Sequence, residues 1–562
     1  MSFLPRRIAT MTADPQASNP IGFGGPYANH LYLDVLIVGS GFSGLYCLHE
    51  LRKLGLKTVI FDAASDLGGT WRWNRYPGAR LDSEVPEYQF SFPETWANWN
   101  WSTNYPAYDE LRRYFDHVES VWDIKKDCAF DTVVVGAEFD SKSGRWQVTT
   151  ADGRQVTAKY FIVATGFSAK RHFPEWPGMD SFQGEIHHSA LWPEDGVDVQ
   201  GKRCAVIGTG ASGVQLTQAL GPVASSLKVF QRTPNLALPM RLRSLTVEEQ
   251  ERVKPIYPKL FRLRETSFGG FTFDFIERGV FDENEEERDA FLEQLWERGG
   301  FRYWVGTYPD YLFDAKANRA IYDFWARKVR ARIEDPIKRD LLAPLEPPHP
   351  WGVKRPSLEV SYYDQFNRPN VDLVDISNNA IESFTEKGIR MADGTEHELD
   401  VVCVATGFDV STGGLVNLGL RSIHGTYLKD EWATTVHTHL GLTIHGYPNL
   451  FFTYGPHAPT AISNGPTTIE VQGRWIVDAI RAMERKGIKS IDPTLASTHS
   501  WKDTIESLSN RTLFPTTRST YMGGTFPGKP FEQLNYTGGI PNYRVEIRKV
   551  LPDFEGFDVV MQ

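Results

Sequence analysis

Residues 34–62 read DVLIVGSGFSGLYCLHELRKLGLKTVIFD, and their order decides the fold. A short β-branched apolar run comes first, then a glycine-rich turn, a helical segment and a second apolar run. Leu45, Leu48, Leu51 and Leu54 recur every three residues, which keeps them near one helical face. This is a β-α-β unit, the building block of a doubly wound parallel sheet. Gly39, Gly41 and Gly44 set a G-x-G-x-x-G spacing directly after the strand. The first permits a tight turn, the second lets a pyrophosphate approach the backbone, and the third lets helix and strand pack closely. The helix N-terminus adds partial positive charge. Asp62 ends the second strand, 18 residues after Gly44. An acid there accepts hydrogen bonds from ribose hydroxyls and repels a 2′-phosphate, so this site is expected to hold FAD or NAD.

The pattern returns as KRCAVIGTGASGVQLTQAL (202–220) followed by LKVFQRT (227–233). Gly208, Gly210 and Gly213 repeat the glycine spacing, with Thr209, Ala211 and Ser212 between them. Here the second strand ends in Gln231-Arg232-Thr233, without an acid. Arg232 lies 19 residues past Gly213, where a guanidinium can pair with a ribose 2′-phosphate. The second site is expected to prefer NADPH. Two further apolar strands end alike, FIVATG at 161–166 and VVCVATGFD at 401–409. Between the nucleotide units, segments such as ANRAIYDFWARKVRARIED (317–335) have helical periodicity and charge that reads as a solvated face.

The predicted fold is α/β: two doubly wound, Rossmann-like dinucleotide-binding domains with a helical insertion. The expected division is an N-terminal arm over 1–30 and a first FAD-binding part over 31–160. A first NADPH-binding part then covers 161–239, the helical insertion 240–350, and a second NADPH-binding part 351–400. A second FAD-binding part with a C-terminal lid completes the chain over 401–562.

Composition narrows the partners. Of 562 residues, 41% are hydrophobic and 23% charged, as in ordinary globular proteins. A net charge of −10 gives no reason to expect nucleic acid or an anionic membrane. No apolar run is long enough to span a bilayer, and the first residues lack the apolar core of a secretory signal. A cytoplasmic protein is expected. Cys47, Cys128, Cys204 and Cys403 are scattered, which argues against a disulfide framework, a metal site and a dithiol reductase. Aromatic content of 13%, with 16 Trp, fits either a large core or a flat cofactor beside an apolar pocket.

FAD and NADPH in one chain imply hydride transfer to flavin. Disulfide reductases and flavin monooxygenases both do this, and the absence of C-x-x-C disfavours the former. The connector between the strands at 161–166 and 202–208 is FQGEIHHSALWP, 182–193. It supplies Phe182, Gly184, His188, Trp192 and Pro193 in the order Phe-x-Gly-x-x-x-His-x-x-x-Trp-Pro. Together with GGTWRWNRYPGARLD (68–82), VKRP (353–356) and ATGFD (405–409), this resembles the type I Baeyer–Villiger monooxygenases, on their cyclohexanone and phenylacetone monooxygenase branches. The match runs from about residue 31 to the C-terminus.

The resemblance implies an NADPH- and O2-dependent enzyme that turns a ketone into an ester or lactone through a peroxyflavin shielded from water. It implies that Arg355 is a fixed cation for the anionic peroxide and the adduct it forms, since Arg keeps its proton and offers several donors. It also implies that Asp82 holds that arginine and receives cofactor contacts. Gly69, Thr70, Trp71, Tyr88 and Val134 join the expected flavin contacts. Lys354 is expected to share the 2′-phosphate with Arg232 and Thr233. The fingerprint is expected to act as a hinge beside the cofactors, with His188 either a switch or a buried hinge histidine and His187 structural. GPHAPTAISNGPTTIE (455–470) reads as a substrate-pocket lining of small neutral side chains. One departure stands out: relatives carry Trp seven residues before PGK (527–529), where this chain has Thr520 followed by Tyr521. A leakier lid is expected unless Tyr521 turns inward. Two rival readings remain, a heteroatom-hydroxylating flavin monooxygenase, which needs no arginine, and a non-catalytic nucleotide-binding redox sensor.

Overall fold

The structure is a computed structural model that describes residues 30–526 and 528–562. The expected arm therefore lies outside the described residues except for His30, which opens a strand. Two sheets organise the chain. The first has at its centre His30–Val38, flanked in parallel by Thr58–Phe61 and Gln155–Val163. Cys128–Ala129 extends one edge, and Leu450–Phe452 pairs in parallel with the end of Gln155–Val163. Val134–Asp140 and Arg145–Thr150 form an antiparallel meander onto the start of that same strand. The second sheet is wholly parallel, in the order Val371–Asp375, Ser226–Gln231, Arg203–Ile207, Val401–Val404, Glu185–His188.

Strand pairing bears on two expected boundaries and on one connector. Gln155–Val163 straddles the division at 160 and belongs entirely to the first sheet, because all three strands that pair with it do. Val401–Val404 belongs to the second sheet, not to a returning FAD-binding part, since it pairs with Arg203–Ile207. The 182–193 segment is not all connector: Glu185–His188 is the edge strand of the second sheet, in register with Val401–Val404.

The two strands ending in Ala-Thr-Gly have one job each. Gly39 has φ 109° and Gly208 φ 107°, in the left-handed region that favours glycine. A Cβ on Gly39 would strike the Ala164 carbonyl, and one on Gly208 the Ala405 carbonyl. Likewise a Cβ on Gly44 or Gly213 would strike the carbonyl of Gly39 or Gly208. Each turn is thus closed by the end of its neighbouring strand and by its own helix.

Helices fill 247–342, from Val247–Val253 to Pro336–Leu342, and the insertion is tied back by Leu238–Pro239 pairing with Leu358–Glu359. Its aromatic side chains face inward: Trp304, Trp325 and Trp351 are fully buried in one cluster with the second sheet. Much of the high aromatic content is therefore core. The four cysteines are buried and unpaired. Among the described residues, no helix is long and apolar enough to cross a membrane.

Candidate active site

The first glycine turn meets a second loop. Gly69 has φ 52°, and a Cβ there would lie 2.9 Å from the Cα of Gly41. Thr70–Trp73 forms one helical turn after it, and Trp71 Nε1 donates to the Tyr88 hydroxyl at 3.2 Å. Asp62 is buried and its carboxylate already accepts from Ser40 N at 2.5 Å, Ser40 Oγ at 2.6 Å and Ala64 N at 2.7 Å. Burial pushes this carboxyl up, against those hydrogen bonds. Asp62 thus holds the glycine turn itself, a partner set that the sequence does not announce. Val134 begins the meander two residues after Thr132, whose N–H donates to the Asp62 carbonyl at 2.8 Å.

In the second turn nothing lies within 4 Å of a Cβ built on Gly210, so its open side can receive a pyrophosphate. Thr209 Oγ1 donates to the Thr233 carbonyl at 2.8 Å, which ties the turn to the strand end. Ala211 opens the helix Ala211–Leu220, and Ser212 Oγ reaches the Tyr76 hydroxyl at 3.0 Å. A Cβ on Gly78 would meet the Gln215 carbonyl at 2.9 Å, so the Tyr-Pro-Gly loop of the first domain packs on the second domain's helix.

Arg232 is exposed, and neither it nor Lys354 has an ion-pair partner among the described residues. Burial and then the Arg232 charge hold Lys354 below the usual lysine range. The same two causes lower His172. Uncompensated cations that repel one another favour an anion such as a phosphate. The residues present therefore fit a phosphorylated dinucleotide at this site.

The fingerprint is pinned at both ends. Phe182 packs edge-on against Phe384, and a Cβ on Gly184 would strike the Asp400 carbonyl. The carbonyl of Trp192 accepts from Arg75 Nε at 2.8 Å, and Glu194, just past Pro193, pairs with Arg72 and Arg75. His188 Nδ1 accepts from Ala190 N at 3.1 Å, and its Nε2 lies 3.2 Å from the His172 carbonyl, to which it donates. Burial lowers His188 to about 4, so the ring is neutral with both nitrogens engaged. Protonating Nδ1 would break the bond to Ala190. His187 instead faces Glu185, 2.9 Å away.

Arg355 and Asp82, 273 positions apart, meet in a bidentate pair: Nε to Oδ2 at 2.8 Å and Nη2 to Oδ1 at 3.0 Å. Nη1 donates to the Ser463 carbonyl at 3.2 Å and reaches the Ala461 carbonyl at 3.5 Å. The guanidinium lies 4.5 Å from the Phe301 ring centroid and 5.4 Å from that of Trp304. Burial works against the charge, but Asp82 more than offsets it, so Arg355 stays protonated. Its side chain keeps a quarter of its surface accessible.

Sequence reasoning missed several of these groups. Phe301 and Trp304 come from the helical insertion, whose role read as solvated. The Ala461 and Ser463 acceptors are backbone atoms and leave no side-chain signal. The 455–470 stretch is not uniformly neutral: Glu470 is buried and pairs with the fully buried Arg264 at 2.9 Å. Tyr521 is turned inward and buried, its hydroxyl donating to the Ala461 carbonyl at 3.2 Å.

The profile of the flavin-binding monooxygenase-like family matches residues 33–238. The FAD-binding monooxygenase acrE of Aspergillus aculeatus is 59% identical over 97% of this chain and 92% of its own. Cyclopentanone 1,2-monooxygenase of a Comamonas species is 44% identical over 91% of this chain and 93% of its own. The structure superposes on NADP+-bound cyclohexanone monooxygenase from Rhodococcus sp. Phi1 with a TM-score of 0.91 and 36% identity, covering 95% of this chain and 100% of that one. The chain belongs to the flavin-binding monooxygenases, within the Baeyer–Villiger group.

Proposed function

We propose that Arg355, clamped by Asp82, is the fixed cation of a Baeyer–Villiger oxidation that converts a ketone, with NADPH and O2, into an ester or lactone. The enzyme is FAD-containing and NADPH-dependent. Bound FAD supplies the redox chemistry, accepting hydride from NADPH and activating O2. The chain does the rest. Gly39, Gly41, Gly44 and Gly69 shape the turn that receives one dinucleotide, and Gly208, Gly210 and Gly213 the turn that receives the other. Arg232 and Lys354 select the 2′-phosphate. Asp82 occupies Nε and one side of Nη2, which fixes the plane of the guanidinium and leaves its remaining N–H groups for a substrate carbonyl oxygen as that oxygen gains charge.

The bidentate Arg355–Asp82 pair carries this reading, because hydroxylation of an amine or sulfide needs no such cation. The test is Arg355→Ala. It is expected to bind flavin and accept hydride from NADPH at near wild-type rate. Ester formation should fall by about 100-fold or more, the scale of losing an oxyanion donor. Ester yield near wild type, measured by product mass over a panel of ketones, would refute it.

A further inference from the structure

Tyr521 follows Thr520 in the short turn Thr520–Met522. Its ring packs edge-on against Phe514, with centroids 5.8 Å apart. Its backbone is clamped too, since Leu534 N donates to the Tyr521 carbonyl at 2.8 Å and Glu532 N to the Met522 carbonyl at 3.1 Å. The Tyr521 hydroxyl and Arg355 Nη1 converge on one acceptor, the Ala461 carbonyl, at 3.2 Å and 3.5 Å. A carbonyl oxygen has two lone pairs, so it can accept from both. With the hydroxyl in place, however, the arginine contact is the longer one and at the limit of a hydrogen bond.

We propose that Tyr521 is a positioning residue that caps the Ala461 carbonyl and so keeps available to substrate the Arg355 Nη1 hydrogen that is not donated to Ser463. This rests on the role proposed above for Arg355 and names the residue that governs it. Without the hydroxyl, the Ala461 carbonyl is a buried acceptor with no donor but Arg355 among the described residues. The cost of leaving a buried acceptor unpaired then draws Nη1 toward it and away from the ketone oxygen. Because Tyr521 belongs to the 519–526 segment, seating that segment and freeing the cation become one event. The Thr520 hydroxyl plays no part in this, and Tyr454, a second tyrosine near Arg355, has its own partner at Ser463.

The experiment compares Tyr521→Phe, which keeps the ring and removes the hydroxyl, with Tyr521→Leu, which removes both. Flavin reduction by NADPH and the ketone KM should stay within about twofold of wild type in Tyr521→Phe, because neither needs the capped carbonyl. Its kcat for ester should fall roughly tenfold, the scale of one hydrogen bond, with hydrogen peroxide released in place of product. Tyr521→Leu should add further peroxide release on top. If Tyr521→Phe matches wild type and only Tyr521→Leu fails, the residue acts by packing alone and the proposal is wrong. Incorporating 3,5-difluorotyrosine at 521 tests the same point without disturbing the fold. The fluorinated phenol loses its proton at a lower pH, so the ester-to-peroxide ratio should drop as pH rises through that titration. A ratio as flat with pH as wild type would overturn the proposal. A wild-type enzyme that makes no ester from any ketone, or Arg355→Ala that makes it freely, would instead overturn the reading beneath it.

Discussion

Arg232 sits at a strand end without a counter-charge among the described residues, and Lys354 is depressed partly by its proximity. If both hold the 2′-phosphate, Arg232→Ala should weaken NADPH binding by about 1.5–3 kcal/mol, roughly ten- to a hundredfold, and leave NADH nearly unchanged. Dissociation constants for the two cofactors decide it, and equal losses would remove the assignment. At this scale the sequence is informative where a residue type has one purpose in one place. An arginine in place of the acid at a strand end is such a case. Asp62 has a second role that its type does not announce: its position suggests ribose, and beside that its oxygens accept three hydrogen bonds from Ser40 and Ala64. The difference is reach. The short Asp side chain folds back onto the turn it follows, and only coordinates reveal that.

Elements decide the lid. The sequence alone suggests a leaky closure, since Thr520 covers less apolar surface than Trp. The structure shows Tyr521, the next residue, buried and turned inward, its hydroxyl on the Ala461 carbonyl and its ring against Phe514. Lys529 then fastens the far end, its Nζ 3.2 Å from the buried Asp409 and 2.9 Å from Thr412 Oγ1. Phe526 packs on His172, whose carbonyl also accepts from His188 and Thr406. The fingerprint and the Ala-Thr-Gly-Phe-Asp motif therefore supply the surface on which this segment rests. Two outcomes follow for peroxide released per NADPH consumed with saturating ketone. Thr520→Trp should change it by less than about twofold, because the apolar cover is already present. Lys529→Ala should raise it, because a buried Asp409 is left with the more distant Lys170 alone, 3.9 Å away. An unchanged ratio in Lys529→Ala would show that the latch does not hold the segment.

Across the whole molecule, the helical insertion is bound to the first domain through charge. Fully buried Arg264 donates to the Glu87 and Gln89 carbonyls at 2.6 and 3.1 Å and pairs with Glu470 on the long helix Gly465–Lys486. Glu87 Oε1 accepts from Thr272 N at 2.7 Å, while its Oε2 is buried without a hydrogen-bond partner. Burial pushes the Glu87 carboxyl up from 4.5 to about 7. An acid raised on folding favours its protonated form in the native state. Its contribution is therefore full below the unfolded value and is lost as pH rises through the folded one. Wild type should lose about 3 kcal/mol relative to Glu87→Gln between pH 4.5 and 7, and the gap should then stay constant. Denaturant unfolding of both proteins across that range measures it. A gap independent of pH would mean that Glu87 is ionised in the folded protein.

By itself the sequence determined the two β-α-β units and their order, and it set an expectation for the cofactor of each. Those features are local, because glycine spacing, strand length and the residue ending the second strand all act within about thirty residues. It also placed Arg355 and Asp82 in one site, through resemblance and not through any local rule. The tertiary structure alone decided which strands share a sheet. Gln155–Val163 and Val401–Val404 look alike as sequence, and only pairing partners assign one to each domain. It alone put Phe301 and Trp304 under the arginine and turned Tyr521 to a backbone carbonyl 60 positions away. Such contacts join segments distant in the chain, and their acceptors are often peptide groups that every residue carries. Composition and spacing hold no record of them.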